Sequence, residues 1–498
     1  MKNLWIAVIA LLLVLWSCEK PTLTVEEGEL GFSVDTVLFD SIFTTFQAPS
    51  ELLVVYNRTK KNIQISRVWL EAGSSSEFDL IVDGIRGNDV QDLVLAKNDS
   101  MHVFVSMKSQ QRDNYAQEYL AFQVGNNTQR VLIRAFVRDA YFLRARLTSD
   151  STFSGFFFTR DTVLTPEKPI IMDGPIFIQE GVTVRIQAGT HLFFTPYKYP
   201  FSLQDGTRYY AFFSTLMVGG TLVVEGSPDF PVIFEGSRLD SIYRENPAQW
   251  RGIRFTRTSE RNHIRHAIIK NALVGLEVDS ISTTREPKLY VQNSHIRNMG
   301  AYGILAIGAA PNDVGQAPAI VMENSVVNTC KQHTLFILAG GYHEFYNCTF
   351  ANYNLLGFSR RTPQIRVSNY LETPTQYLVY PSVTQFVNCA IWGTEETEVI
   401  VDSLPGGNFT LLNFDHCLLR YADDNEVPIA PYISNTIVNQ DPLFNAPRMR
   451  DYRPQQGSPL IDAGRDLSQR FLDDIRGRMD SLRTLPFDIG AYEYYEIE

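Results

Sequence analysis

From Phe32 to about Ala140 apolar and polar residues alternate with a period of two. The runs "LLVVYN", "IQISRVWL", "FDLIVDG", "MHVFVSMKS", "YLAFQVG" and "RVLIRAFVRD" are separated by Gly, Asn, Asp and Ser clusters about every ten residues. That period puts successive side chains on opposite faces, so each run predicts a strand with one buried face. Six or seven strands over residues 31–140 predict an antiparallel β-sandwich. It is immunoglobulin-like in architecture only, because no Cys-Trp-Cys pattern accompanies it.

After Tyr141 the runs shorten and the turns between them shrink to one or two residues, as in "GPIFIQEGVTVRIQAGTHLFF" (174–194) and "LMVGGTLVVEGSPDFPVIFEG" (216–236). Three short runs per segment predict a solenoid coil, and helical periodicity is nearly absent. The repeat becomes explicit in "HAIIKN", "NSHIRN", "NSVVNT", "NCTFAN", "NCAIWG" and "HCLLRY", which align without gaps. They begin at residues 266, 293, 324, 347, 388 and 416, giving steps of 27, 31, 23, 41 and 28 residues. Those steps are coil lengths of a parallel β-helix, predicted here over 141–445, and the long step predicts an inserted loop within 357–381.

Each alignment column has a physical task. The first holds His266, Asn293, Asn324, Asn347, Asn388 and His416. Asparagine tolerates the left-handed backbone of a tight turn, and Asn293, Asn324, Asn347 and Asn388 are expected to bond amide to amide as a ladder. The second column, with Ser294, Ser325, Cys348, Cys389 and Cys417, holds small residues where the interior narrows. The fourth is large and apolar and fills the core. The third points outward and holds Ile268, His295, Val326, Thr349, Ala390 and Leu418. An outer face this apolar is expected to be covered, by the 357–381 loop or by a partner protein.

Composition narrows the function. The 498 residues carry 44 Lys+Arg against 55 Asp+Glu, a net charge of −11, with no basic block, which argues against a nucleic-acid partner. Residues 1–17, "MKNLWIAVIALLLVLWS", have one Lys and an apolar run too short to span a bilayer, so they read as a signal peptide. The stretch Leu15 to Cys18 resembles the bacterial lipobox. That resemblance implies cleavage before Cys18, acylation of its thiol, and residues 18–30 as a polar tether to the membrane. The other four cysteines are Cys330, Cys348, Cys389 and Cys417. Stacked coils about 4.8 Å apart hold Cβ vectors nearly parallel, a poor geometry for a disulfide, so free buried thiols are expected.

The coil region resembles the right-handed parallel β-helix proteins, the architecture of pectate lyases, polygalacturonases and many surface adhesins. The segments "DPLFN" (441–445), "DYRPQQGSPLIDAG" (451–464), "DDIRGR" (473–478) and "FDIGAYEY" (487–494) resemble the choice-of-anchor-Q closing motif of exported Bacteroidota β-helix lipoproteins. The resemblance implies an outer-membrane location, with the cell surface favoured over the periplasmic face, and a cap over residues 446–498 that closes the open sheet edge. It also implies O-glycans at Asp-Ser or Asp-Thr followed by a small or medium apolar residue, which makes Thr36, Ser41, Ser100, Thr162 and Ser241 candidate acceptors. Ordinary Asp-Ser turns are the alternative.

Chemistry is harder to find. The Asp and His motifs of polygalacturonases and the Arg-x-Pro-x-x-Arg of pectate lyases are absent, and Asp473 and Asp474 lie in the closing motif. No metal-ligand spacing, P-loop or Gly-x-Ser-x-Gly occurs, so no cofactor, metal or catalytic residue is assigned. A paired-carboxylate site needs proximity in space rather than in sequence, which keeps a polysaccharide lyase or glycoside hydrolase open as an alternative. The stretch 193–213 gathers Tyr197, Tyr199, Phe201, Tyr209 and Tyr210 as a candidate aromatic loop for sugar rings or protein partners. The leading expectation is a non-enzymatic membrane-tethered surface for a protein or glycan partner, with a subunit of an outer-membrane assembly as a further alternative.

Overall fold

The computed structural model describes residues 28–43, 50–108, 114–145, 155–196, 198–202, 208–212, 214–239, 243–310, 313–355, 357, 359–404, 409–422, 428–477 and 483–495. It is all-β, with three short 3₁₀ turns among the described residues. Contacts divide the chain after Asp139.

The first unit is a sandwich of two five-stranded sheets. In one, Glu51–Tyr56 pairs with Ser100–Met107, which pairs with Phe78–Val82. In the other, Asn127–Arg138 lies between Asn114–Val124 and Thr36–Phe43, the last pair parallel with a register shift. Alternation does what the sequence asks of it: Leu53, Val55, Leu80, Val82, Val103, Val105, Leu120, Phe122, Ile133 and Val137 are all at most 1 % exposed.

The second unit is a parallel β-helix of three long sheets, with 11, 9 and 10 strands, here called sheets I, II and III. One coil shows the plan: Ala267–Lys270 in sheet I, Val274–Asp279 in sheet II, Leu289–Gln292 in sheet III, then His295–Met299 back in sheet I. Within each sheet every strand but the two at its ends is paired on both sides by the coils above and below, which satisfies its backbone groups.

The six aligned motifs stack in the register the sequence predicts. Ile268 pairs with His295, His295 with Val326, Val326 with Thr349, Thr349 with Ala390 and Ala390 with Leu418. The turn residues His266, Asn293, Asn324, Asn347, Asn388 and His416 all have positive φ, between 44° and 54°. Column two and column four are each at most 1 % exposed throughout. Inside, the rings of Phe345, Phe386 and Phe414 stack with centroids 4.9 and 4.6 Å apart. Cys330, Cys348, Cys389 and Cys417 are free and buried, and burial pushes the Cys330 thiol up to about 12 and those of Cys348 and Cys389 well above the usual range. The long 41-residue step holds a strand of sheet II, Ile365–Ser368, and an antiparallel hairpin of Tyr370–Glu372 with Tyr377–Val379. A seventh coil, not in the alignment, places Ile437 and Val438 under Leu418 and Leu419 after a turn at Asn435, φ 48°.

Two expectations need correction. The segment after residue 441 does not merely close the end of the solenoid; it runs back along the outside of sheet I as a strap and traverses it more than once. Arg450 reaches the Asn298 carbonyl oxygen of the side chain at 3.0 Å. The Arg465 backbone N–H donates to Asn388 Oδ1 at 2.7 Å. Asn293 Nδ2 donates to the Asp474 carbonyl at 2.7 Å, Arg483 donates to Asn324 Oδ1 at 3.2 Å, and the Gly490 N–H returns to the Asn388 carbonyl at 2.8 Å. The turn asparagines therefore form no amide-to-amide ladder. Asn293, Asn324 and Asn388 give their side chains to the strap, and Asn347 has no side-chain partner among the described residues.

Candidate functional site

The outward column of sheet I is the first site to test. Val326, Ala390 and Leu418 are 0 % exposed and Thr349 is 1 % exposed, packed with Phe444, Tyr452, Leu460, Ile475, Ile489 and Ala491 of the strap. Ile268 and His295 are half-buried, and burial lowers the His295 pKa to about 4. The face offered by sequence as a partner surface is thus occupied, and its occupant is neither the 357–381 loop nor another protein. Burial of such aliphatic side chains at about 1.5–3 kcal/mol each explains why the chain spends some fifty residues covering it.

The other candidates distribute as follows. Cys18, Tyr197 and Ser241 lie outside the described residues. The backbones of Lys198–Ser202 and Arg208–Phe212 form an antiparallel hairpin with Phe201 opposite Tyr209; the side chains of Tyr199, Phe201, Tyr209 and Tyr210 lie outside the described residues, as does that of Ser41. Thr36, Ser100 and Thr162 sit half-buried on strands. Thr162 Oγ1 donates to the Arg160 carbonyl at 2.9 Å, an ordinary turn bond.

Sheet II carries what the motif alignment did not reach. Its inward residues Ile253, Leu276, Ile304, Leu335, Ile365 and Val399 are 0 % exposed, so the residues between them face out. Register then builds one outward column: Phe157, Phe177, Met217, Arg254, Glu277, Leu305, Phe336, Arg366 and Ile400. Eight steps of about 4.8 Å make it roughly 38 Å long.

Two zones stand out along it. In the downstream zone the Phe336 ring lies 5.6 Å from that of Tyr302 and 5.3 Å from that of His333. Arg366 lies over Phe336, 5.0 Å from its centroid, and its Nε donates to Asp402 Oδ2 at 3.0 Å. Tyr370, from the inserted hairpin, donates its hydroxyl to Asp402 Oδ1 at 3.0 Å; burial first and this hydrogen bond second raise its pKa. In the upstream zone Arg251 binds Glu277 at 2.7 Å and Arg254 binds Asp279 at 2.8 Å. Burial opposes the Arg254 charge, but its bond to Asp279 and the attraction of Glu277 prevail and its pKa rises. Farther up, the Phe157 and Phe177 rings stack at 4.8 Å, 13° from parallel. Phe336 itself is only 9 % exposed beneath its neighbours, so the reachable groups of the downstream zone are Tyr302, Arg366 and Tyr370, and each zone of this strip sets a guanidinium–carboxylate pair near aromatic rings.

Sequence reading missed this strip because its members share no residue type from coil to coil. The available signal was the alternation in "VGLEVD", "YGILAI" and "TLFIL", which fixes inward and outward positions in the second strand of each coil. Among the described residues no cluster of His, Cys, Asp or Glu is arranged to hold a metal ion, and no helix is long and apolar enough to cross a membrane.

No family model matches the chain, and no curated protein matches it. Several solved structures resemble it. The catalytic unit of a thermostable GH87 α-1,3-glucanase from Streptomyces thermodiastaticus strain HF3-3 is 13% identical, with 78% of this chain and 75% of that chain covered and a TM-score of 0.26. A family 123 glycoside hydrolase from Clostridium perfringens is 8% identical over 38% of this chain, TM-score 0.18. The E. coli chaperone DraB is 14% identical over 23% of this chain, TM-score 0.17. The chain spans 48% of that hydrolase and 57% of that chaperone.

Proposed function

We propose that this chain is a lipid-anchored outer-membrane protein of the cell surface, tethered through Cys18, whose β-helix is a non-enzymatic binding surface for a glycan laid along sheet II. The observation that supports it is the outward strip of Tyr302, Arg366, Tyr370 and Asp402, seated on the buried ring of Phe336. Aromatic faces flanked by rigid polar forks suit sugar rings, which have apolar faces and hydroxyl rims. With the sheet I column covered by the strap, a protein partner or an outer-membrane assembly docked on that column loses its surface, and the glycan reading takes precedence.

The test is binding of the full chain to a panel of oligosaccharides by calorimetry. Tyr302→Ala and Tyr370→Ala are expected to weaken binding by about fivefold or more, in line with loss of about 1–3 kcal/mol of aromatic stacking per ring. Binding unaffected by both would refute the site. Membrane attachment has its own test: Cys18→Ala should release the protein from membranes and abolish incorporation of labelled fatty acid, and protease added to intact cells should reach the β-helix.

One observation favours a second reading, glycoside hydrolysis. Glu277 and Asp279 point outward from one strand two residues apart, and both lie against Arg254, at 3.5 and 2.8 Å, so two carboxylates share one spot of the face, as glycosidic cleavage requires. Both are engaged by arginines, an arrangement that suits anchoring better than proton donation. Release of reducing ends by the purified chain, lost in Glu277→Gln, would establish the hydrolase and overturn the non-enzymatic reading.

A further inference from the structure

We propose that the sheet II strip selects neutral over acidic polysaccharide and holds the chain parallel to the solenoid axis, one sugar ring after another across successive coils. This rests on the glycan-binding reading above and adds a substrate class and an orientation to it.

Charge on this face is balanced pair by pair. Three arginines project from this face, Arg251, Arg254 and Arg366, and three carboxylates close on them: Glu277 at 2.7 Å, Asp279 at 2.8 Å and Asp402 at 3.0 Å. Each guanidinium is neutralised by a neighbour that the register fixes beside it, so an arriving uronate or sulfate meets no uncompensated cation. The chain as a whole carries −11, so its long-range field also disfavours a polyanion. An uncharged hydroxyl needs no net charge, only fixed donors and acceptors. The Arg366 pair supplies both: its Nε and one Nη serve Asp402, and its other Nη has donors to give.

Orientation follows from register. Arg254, Leu305 and Arg366 lie in one column perpendicular to the strands, with about 4.8 Å per coil, close to the length of one pyranose along a glycan. A chain lying along the strands would cross a single coil and leave the face within a few residues. A chain lying along the axis meets in turn Arg254, Leu305 and Arg366, with Glu277 and Phe336 buried between them, and reaches the stacked pair Phe157 and Phe177 at the far end.

The experiment titrates the full chain with neutral gluco-, manno- and xylo-oligosaccharides of increasing length, and with uronic-acid and sulfated oligosaccharides of matched length. Neutral chains are expected to bind, with affinity rising over successive ring additions, and acidic chains to bind at least about tenfold more weakly. Asp402→Asn and Asp279→Asn each unmask one guanidinium and are expected to shift the ratio of acidic to neutral affinity upward by about tenfold, with an added salt dependence. Two separate replacements guard against one that fails to fold, and their melting curves show which remain native. Acidic oligosaccharides binding as tightly as neutral ones overturns the charge selection while the glycan reading stands. Affinity that is flat with chain length overturns the axial placement. No binding to either class overturns the glycan reading itself.

Discussion

Arg483 offers the sharpest test of the strap. Its side chain and that of Glu493 are 0 % and 1 % exposed and lie 2.9 Å apart. Arg483 also donates to the Gly490 carbonyl at 2.9 Å and to Asn324 Oδ1 at 3.2 Å, so one guanidinium joins two passes of the strap to a turn of the solenoid. Replacing it with Met keeps much of the apolar stem but leaves the Glu493 charge buried with no cation. Breaking one side of a buried pair costs about 3–5 kcal/mol, which raises strap opening by roughly 10²- to 10⁴-fold. Arg483→Met with Glu493→Leu removes both charges and is expected to restore most of the loss, because a buried pair exchanged for apolar side chains is often neutral. The strap can open without unfolding the coils, so the assay is native-state amide exchange. The reporters are the Gly490 N–H, bonded to the Asn388 carbonyl at 2.8 Å, and the Ala491 N–H, bonded to Thr349 Oγ1 at 2.9 Å. Loss of protection in Arg483→Met and its recovery in the double variant is the expected pattern. Unchanged protection in the single variant, or a double variant as open as the single, would refute the argument that this pair closes the strap.

Acid should loosen the fold: burial lowers the pKa of His266, His295, His333 and His343 to about 4 each, so between pH 6.5 and 4 the unfolded chain binds more protons and stability falls with pH. Asp488, raised to about 6 by burial and by Glu493, works the other way, its contribution being present below the unfolded carboxylate pKa and lost as pH rises through 6; a melting temperature that rose on acidification from pH 6.5 to 4 would refute the predominance of the histidines. The four buried thiols should resist alkylation in the native protein and react together only on unfolding, as mass spectrometry would show; rapid native labelling of Cys348 or Cys389 would contradict their burial. At Asn388, φ 54° and two bonds to Arg465 of 2.7 and 2.8 Å are both at stake. Asn388→Ala should cost about 2–4 kcal/mol from left-handed strain plus lost bonds, and Asn388→Gly about 1–2 kcal/mol, since glycine keeps the turn; equal losses in denaturant titrations would refute the split.

What the sequence reveals here is what each coil must repeat. A left-handed turn, a small residue and a large one recur at Asn347, Cys348 and Phe350 and again at Asn388, Cys389 and Ile391, so the register of sheet I is readable down to single residue pairs. The strap follows no such rule. Its bonds join Asn293 to Asp474, Asn324 to Arg483 and Arg450 to Asn298, partners more than a hundred positions apart with no periodicity to announce them. The apolar character of Val326, Ala390 and Leu418 did say that something must lie on them, but nothing local says what. The sheet II strip was unreadable for a related reason: Arg254, Leu305 and Phe336 are neighbours only once the coils are wound, and an alignment by residue type passes over them.

The doubling back of the last residues has a consequence for the order in which the molecule can be made. Every coil up to Val438 can wind as it emerges, each new one templated by the one before. The covering of Val326 and Leu418 must wait for Ile475 and Ile489, which follow every coil in the sequence. A product cut short between Val438 and Ile475 would therefore be a fully wound solenoid with a greasy flank laid bare. Such a fragment is one that chaperones and proteases could recognise without inspecting any coil.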